Sequence, residues 1–417
     1  MIGNSPALAE ALGRFEGLYP ETIHLSLDRI LNALEAMGRP QDRLPPVVHV
    51  AGTNGKGSTC AFMRAMAEAA GLKAHVFTSP PLVRFNERIR LAGEIADDAR
   101  LIDWLDRTFD MIKGQQITHF EATTATALLA FAEVPADVLI LEVGLGGRFD
   151  ATNVIDAPAL SVITPVDFDH KAFLGSDLRK IAGEKAGIIK AGRPALTAIQ
   201  RKVCDEVIAK RAEEVGAPLY RLKAHYIDAM PQDLGLIGEH QRANAALAAM
   251  AMQLFGNSTR ITQDHIFEGA RTATWPARMQ RMKDGALTRL VPDTEVWLDG
   301  GHNPHAARAI AKHLKTLPGK TALVCAMLAS KDATGYFMPF RQLRPPVFTL
   351  PNAPGHRGAE PKDLADAART AGLEAAACDS LDTAMKAAAA SGADRILICG
   401  SLYLAGEVLA RNGEAPA

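Results

Sequence analysis

The sequence predicts an α/β fold in two parts, each a mostly parallel sheet covered by helices. Two observations predict it. Short β-branched apolar runs alternate with helical patterns, which implies parallel pairing and helices on both sheet faces. The alternation lapses past residue 240 and then restarts, which implies a second, smaller unit of the same kind.

Residues 46–50, 74–78, 137–143, 160–164 and 195–199 are short and largely apolar, the pattern of strands buried on both faces. Ile23, Leu27, Ile30, Leu31, Leu34 and Met37 fall at helical spacing, and Gly38 follows as a stop. Residues 60–70 read as a helix directly after a glycine-rich turn, and 240–255, rich in Ala and Met, as another. The segment 271–293 is basic and interrupted by Pro276, Gly285 and Pro292, so the boundary is placed there, giving parts 1–277 and 278–417. Beyond it the pattern gives strand 295–298, helix 304–314, strands 321–327 and 347–350, helix 362–371, strand 395–399 and helix 402–410. The alanines at 387–390 read as helix too.

Lys and Arg total 46 against 47 Asp and Glu, a net charge of −1, which argues against a surface built for nucleic acid. With 48% hydrophobic and 22% charged residues in a chain of 417, a folded globular protein is expected. No stretch reaches the length of a membrane span. The first residues lack the basic start and apolar centre of a secretory signal. The five cysteines are scattered without a C-x-x-C, which points away from disulfides and zinc and toward a reducing cytoplasm.

Residues 47–59 read VVHVAGTNGKGST: a strand, three glycines, a lysine and two hydroxyls, then a helix. Glycines let backbone N–H groups curl around phosphate oxygens, and the helix N-terminus faces the same anion. Lys56 can reach terminal phosphates, and Ser58 or Thr59 can ligate Mg²⁺. The common G-x-x-x-x-G-K-[ST] pattern is not met: Val50 stands at its first glycine, and Gly57 separates Lys56 from Ser58. A ligand-free strand-to-helix turn is the alternative reading.

Glu142 ends a buried run and precedes a glycine-rich loop, where open α/β sheets place ligands. It reads as a Mg²⁺ ligand or as the partner of Arg148 or a lysine. His170 follows Asp169 at another strand end and reads as ligand, base or loop residue. Lys185 lies among Ala, Gly and Ile. Burial would favour its neutral amine, which can capture CO₂ as a carbamate; a salt bridge with Glu184 is the alternative.

AGTNGKGST resembles the ATP loop of the Mur ligase superfamily, and the extra Gly57 resembles its folate branch, the folylpolyglutamate synthase/dihydrofolate synthase family. Further segments fall in that family's order. They are TSPPL with Ser79, with Pro81 at the usual His; FEATT with Phe120; EVGLGGRFD with Glu142; the Asp169–His170 pair; GEKAG with Lys185; GEHQRANA with Asn244; WPARMQ with Arg278, with Ala277 at the usual Gly; and LDGGHNP with Asp299 and His302. Ser330-Lys331-Asp332 partly matches a D-K-D motif, and GSLYLAGEV with Ser401 matches the family's C-terminal segment closely.

The resemblance implies a phosphate-loop-containing Mur-ligase-like domain and a smaller Rossmann-like C-terminal domain. It implies ATP contacts at Gly52, Thr53, Asn54, Gly55, Lys56, Gly57, Ser58, Thr59, Asn244, Arg278 and Asp299. Ser58, Ser79, Glu142 and His170 would hold metal, and Lys185 would be N-carboxylated. Phe120, Glu121, Thr123, Arg148, Phe149 and Asp150 would line the folate site; His302 and Ser401 would face the glutamate side of the cleft. Lys56, Glu142, His170, Lys185 and His302 would carry catalysis.

The implied reaction is ATP-dependent addition of L-glutamate to dihydropteroate and to reduced folates through an acyl phosphate. Mg²⁺, two ions in all, is the implied cofactor, with K⁺ a further candidate. A single-activity synthase, a peptidoglycan-type Mur ligase and a non-catalytic nucleotide-binding module remain as alternatives. A monomer with small-molecule partners, no nucleic acid and no membrane is expected.

Overall fold

A computed structural model of the chain describes residues 3–19, 26–169, 175–255, 260–353 and 357–416. Among them, two sheets of eight and six strands carry the fold. The first contains β1 (Val47–Ala51), β2 (Ala74–Phe77), β3 (Ile89–Leu91), β4 (Glu94–Ile95), β5 (Val138–Glu142), β6 (Leu160–Ile163), β7 (Ala195–Thr197) and β8 (Leu219–Arg221). Their order is β4-β3-β2-β5-β1-β6-β7-β8. All pairs from β2 to β8 are parallel, and β3 and β4 add an antiparallel edge.

The second sheet contains β9 (Gln280–Arg281), β10 (Glu295–Leu298), β11 (Thr321–Cys325), β12 (Val347–Thr349), β13 (Ala375–Ala377) and β14 (Arg395–Cys399). It is ordered β13-β12-β11-β14-β10-β9, parallel except for β9 against β10. Parallel strands buried on both faces are predominantly apolar, and β1, β5 and β6 are buried at every position, with His49, Glu142 and Ser161 their only polar residues. The helices Glu239–Phe255 and Gln263–Thr272 pack with helix Lys56–Ala69 over β1 and β5, so the chain up to about residue 273 shares the first sheet's core.

The strands missed in sequence are β3, β4, β8, β9 and β13, all in the sheets' outer parts. β4, β8 and β13 carry no buried residue, so burial left no apolar run to read. The helix after the glycine-rich loop begins at Lys56 rather than residue 60, because its first turn is polar. The early helix spans Asp28–Ala36; Ile23, expected on it, lies outside the described residues. No described helix is long and apolar enough to cross a membrane. The five cysteines are all free.

Candidate active site

Strands β1, β5 and β6 lie side by side, and their carboxyl ends deliver three loops to one place. From β1 comes the glycine-rich loop. Thr53 N–H donates to Pro165 O at 3.0 Å and its hydroxyl to Asp167 O at 2.9 Å, so the loop is braced on the segment after β6. Lys56 Nζ donates to Gly52 O at 3.2 Å and lies 3.9 Å from Glu142 Oε1, at the end of β5. Ser58 and Thr59 are buried in the first turn, and the Thr59 hydroxyl has no hydrogen-bond partner among the described residues.

The extra glycine has a steric reason. A Cβ on Gly57 would come within 2.8 Å of Trp275 Nε1, so the indole rests on the start of the helix. Asn244 Oδ1 lies as close to Gly55, 2.6 Å from where a Cβ would stand. Thus Asn244 and the segment ending in Arg278, distant in sequence, both border the loop. Arg278 Nη1 donates to Ala277 O at 2.7 Å. Ala277 has φ 54, a left-handed conformation that glycine adopts without strain and alanine holds at about 1–2 kcal/mol. Asp299 is buried, and its carboxylate accepts from Met279 N at 2.9 Å and Gly301 N at 2.7 Å.

Glu142 is 4% exposed, and burial pushes its carboxyl up to about 7 against the opposing pull of Lys56 and of Ser79 N–H, which donates to Oε2 at 3.4 Å. A buried carboxylate short of compensation, next to Ser79, suits a hard divalent cation. No cluster of three or more His, Cys, Asp or Glu residues with metal-binding geometry occurs among the described residues. His170, expected as a further ligand, lies outside them.

Lys185 Nζ donates to the same Gly52 carbonyl at 2.9 Å. Burial, with Lys56 second, pulls its ammonium down to about 7, so a large neutral fraction exists at physiological pH. The two amines, Gly144 and Asp169 surround one small hollow.

The second sheet closes this corner. Asp169 receives Lys331 Nζ at 2.5 Å and Asn303 Nδ2 at 2.9 Å, with His302 Nε2 at 3.4 Å. His302 Nδ1–H donates to Gly300 O at 3.0 Å. Asp167 pairs with Arg201 at 3.1 Å and with Arg308, from the second unit, at 2.7 Å. Sequence reasoning left Asp169 and Asn303 without a role; an acid beside a candidate ligand and an Asn opening a helix were the available signals.

On the other side of Glu142, the Phe120 ring packs on Gly144, where a Cβ would meet its Cζ at 2.4 Å. Asp150 is buried and accepts from Leu145 N at 2.8 Å and from the Thr152 hydroxyl at 2.6 Å, tying down the loop after β5. Glu121 is engaged by Arg29 at 2.7 Å and by Thr118 N–H in a capping box. The Thr123 hydroxyl donates to His119 O of its own helix at 2.8 Å. Arg148 and Phe149 are exposed. Ser401 caps helix Leu402–Asn412 by accepting from Tyr403 N at 3.2 Å. Arg88, absent from the sequence reading, reaches the Phe120 ring. A cleft of about 730 Å³ runs from Glu142 and Ser79 past Trp275 and Arg278 to Leu402, between the two units.

The fold and this site define an ATP-dependent ligase of the Mur ligase fold. A family model described as the Mur ligase glutamate ligase domain matches residues 277–402. The dihydrofolate synthase/folylpolyglutamate synthase of Escherichia coli strain K12 is 32% identical over 418 residues, covering 96% of this chain and 94% of that protein. Mycobacterium tuberculosis folylpolyglutamate synthase complexed with ADP and AMPPCP superposes with a TM-score of 0.88 at 28% identity, covering 98% of this chain and 100% of that one. The bifunctional folylpolyglutamate synthase/dihydrofolate synthase of Yersinia pestis, complexed with AMPPNP and a Mn ion, gives 0.83 at 30% identity over 97% of both chains. The chain belongs to the dihydrofolate synthase/folylpolyglutamate synthase family.

Proposed function

We propose that this enzyme joins L-glutamate to dihydropteroate and to reduced folates at one site. The observation that carries this reading is contiguity: the phosphate loop, the Glu142 carboxylate and the Phe120 ring meet around the carboxyl ends of β1 and β5. A carboxylate is a poor acyl donor because hydroxide leaves badly. Attack of its oxygen on the γ-phosphorus of ATP expels ADP and gives an acyl phosphate. The glutamate α-amine then attacks the acyl carbon, loses a proton and expels phosphate, leaving an amide.

Lys56 and Arg278 stabilise charge on the transferring phosphoryl group. The loop of residues 52–59 cradles the phosphates, with Asn244 toward the base and Asp299 orienting the second unit's edge of the nucleotide site. Ser58, Ser79, Glu142 and His170 would hold Mg²⁺, two ions in our reading, which would supply charge neutralisation for the phosphate oxygens. K⁺ is a candidate activator. Lys185 supplies a near-neutral amine for carboxylation, and His302 and Ser401 face the incoming glutamate. Phe120, Arg148, Phe149 and Asp150 belong to the pterin side, with Glu121 and Thr123 shaping the helix that carries Phe120. Closure of the two units excludes the water that would hydrolyse the acyl phosphate. We assign these units as 1–277 and 278–417, acting as a monomer in the cytoplasm, the setting that five free thiols suit.

The test is mass spectrometry of products from ATP, Mg²⁺ and L-glutamate with dihydropteroate or tetrahydrofolate in separate reactions. A glutamate adduct in both is expected. An adduct in one identifies a single-activity synthase, and none in either removes the assignment.

A further inference from the structure

Arg88 is a charged group placed where the fold does not complete it. Its Nε and Nη1 atoms are enclosed without an acceptor, and it forms no ion pair among the described residues. Its guanidinium carbon lies 5.4 Å from the Phe120 ring centroid and 5.5 Å from that of Phe85. Such ring contacts stabilise a cation only modestly. Withdrawing a charge from water without a partner is far more unfavourable than that. The rings therefore do not account for keeping a cation there, and an anion that arrives with the substrates does.

Three kinds of anion take part in the reaction proposed above. The nucleotide phosphates belong to the loop after β1. The incoming glutamate belongs to the side where the second sheet delivers His302 and Ser401. Arg88 instead touches the Phe120 ring, which packs on Gly144, two residues beyond Glu142. The groups whose charges act on it are Tyr403, Glu142 and Asp150. It thus lies against the aromatic wall, within reach of the field of the acid where phosphoryl transfer is centred. The residue keeps partial exposure.

We infer that Arg88 binds the acceptor's carboxylate, the group that becomes the acyl phosphate, and holds it between the Phe120 ring and Glu142. This rests on the acceptor reading above and adds its anchor. A flat aryl carboxylate meets both neighbours at once: its ring lies along Phe120 and its carboxylate takes the guanidinium N–H groups. The same contact makes the site demand an anionic acceptor.

The test is equilibrium binding of 7,8-dihydropteroate and of its neutral methyl ester to the wild type, Arg88→Met and Arg88→Lys, with AMPPNP binding as the control for an intact nucleotide site. The wild type is expected to prefer the acid over the ester by roughly 10- to 100-fold, the worth of a hydrogen bond to a charged group. Arg88→Met is expected to bind both alike, with AMPPNP affinity unchanged. Arg88→Lys is expected to recover part of the preference. Because the methionine removes an uncompensated buried charge, the melting temperature of the ligand-free variant should equal or exceed that of the wild type. A purely structural arginine would lower it. If the wild type prefers the acid and Arg88→Met still does, the anchor is elsewhere and the inference falls while the acceptor reading stands. If the wild type binds dihydropteroate but does not prefer it over the ester, the inference falls as well. If the wild type binds neither compound, the dihydropteroate reading falls and takes this inference with it. Should Arg88→Met fail to fold, that failure counts for the structural alternative, and the lysine variant decides whether the acid preference tracks this side chain.

Discussion

Two buried corners flank Glu142, and they treat charge in opposite ways. At one, Asp169 is met by Lys331, Asn303 and His302, all from the second unit, so a carboxylate of the first sheet is satisfied by the neighbouring domain. At the other, Arg88 lies against two rings, and its Nε and Nη1 have no acceptor among the described residues. The first corner is complete in the protein alone, and it fixes how the two units meet. The second is incomplete in the protein alone. Paired buried charge marks architecture, and unpaired buried charge marks where a ligand is needed.

The largest expected effect falls between the two corners. Lys56→Ala or Glu142→Ala should lower turnover by about 1,000-fold or more while circular dichroism and melting stay close to wild type. Turnover near wild type in either would remove the roles given to them. Next, Lys331→Ala should leave Asp169 short of its cation at a site where both partners are at most 10% exposed. Breaking such a pair costs about 3 kcal/mol, roughly 100-fold in the population of closed domains. Small-angle scattering should show a larger radius, and kcat should fall. An unchanged radius would make the Asp169 corner a passive contact.

A smaller effect separates neutral from charged burial. His49, in β1, is fully enclosed, and its Nε2 lies 2.9 Å from the Thr152 hydroxyl. Burial holds its imidazole down at about 3. The unfolded chain takes up that proton near pH 6.5 and the folded chain does not, so stability is full above pH 6.5 and declines as pH falls toward 3. The loss is about 1.4 kcal/mol per pH unit. Denaturant titrations at pH 7 and pH 5 should differ by about 2 kcal/mol more in the wild type than in His49→Gln. Equal differences would show that His49 is not the source. Smallest of all, Phe149→Ser should change stability by less than about 0.5 kcal/mol because the ring is 42% exposed. A several-fold rise in the acceptor KM would keep Phe149 on the pterin side, and no rise would take it off.

The parallel core was legible because β1, β5 and β6 are buried at every position and so are predominantly apolar. The phosphate loop was legible because its shape needs glycine at fixed places. Pairings between distant segments were not. Nothing in the sequence ties Gly57 to Trp275 or Asp169 to Lys331, since those contacts depend on how helices and domains pack. Arg88 was invisible for a related reason: an arginine in a polar stretch reads as solvated surface until the fold places Phe85 and Phe120 around it. Glu121 shows a partner the motif did not announce: the resemblance placed it at the folate site, and the structure pairs its carboxylate with Arg29 and a helix cap.

The order of the first sheet has a consequence for how the enzyme is made. β1 carries the phosphate loop, yet its partners are β5 and β6, through pairings such as Val47 with Leu139 and Val48 with Leu160. Strands that pair across so much sequence close late and slowly. During synthesis β1 leaves the ribosome with neither neighbour present, and the loop has nothing to be braced against until the segment after β6 has emerged. The nascent chain therefore gains its nucleotide site only when most of the first sheet exists. Until then an unpaired apolar strand is exposed to association with other chains.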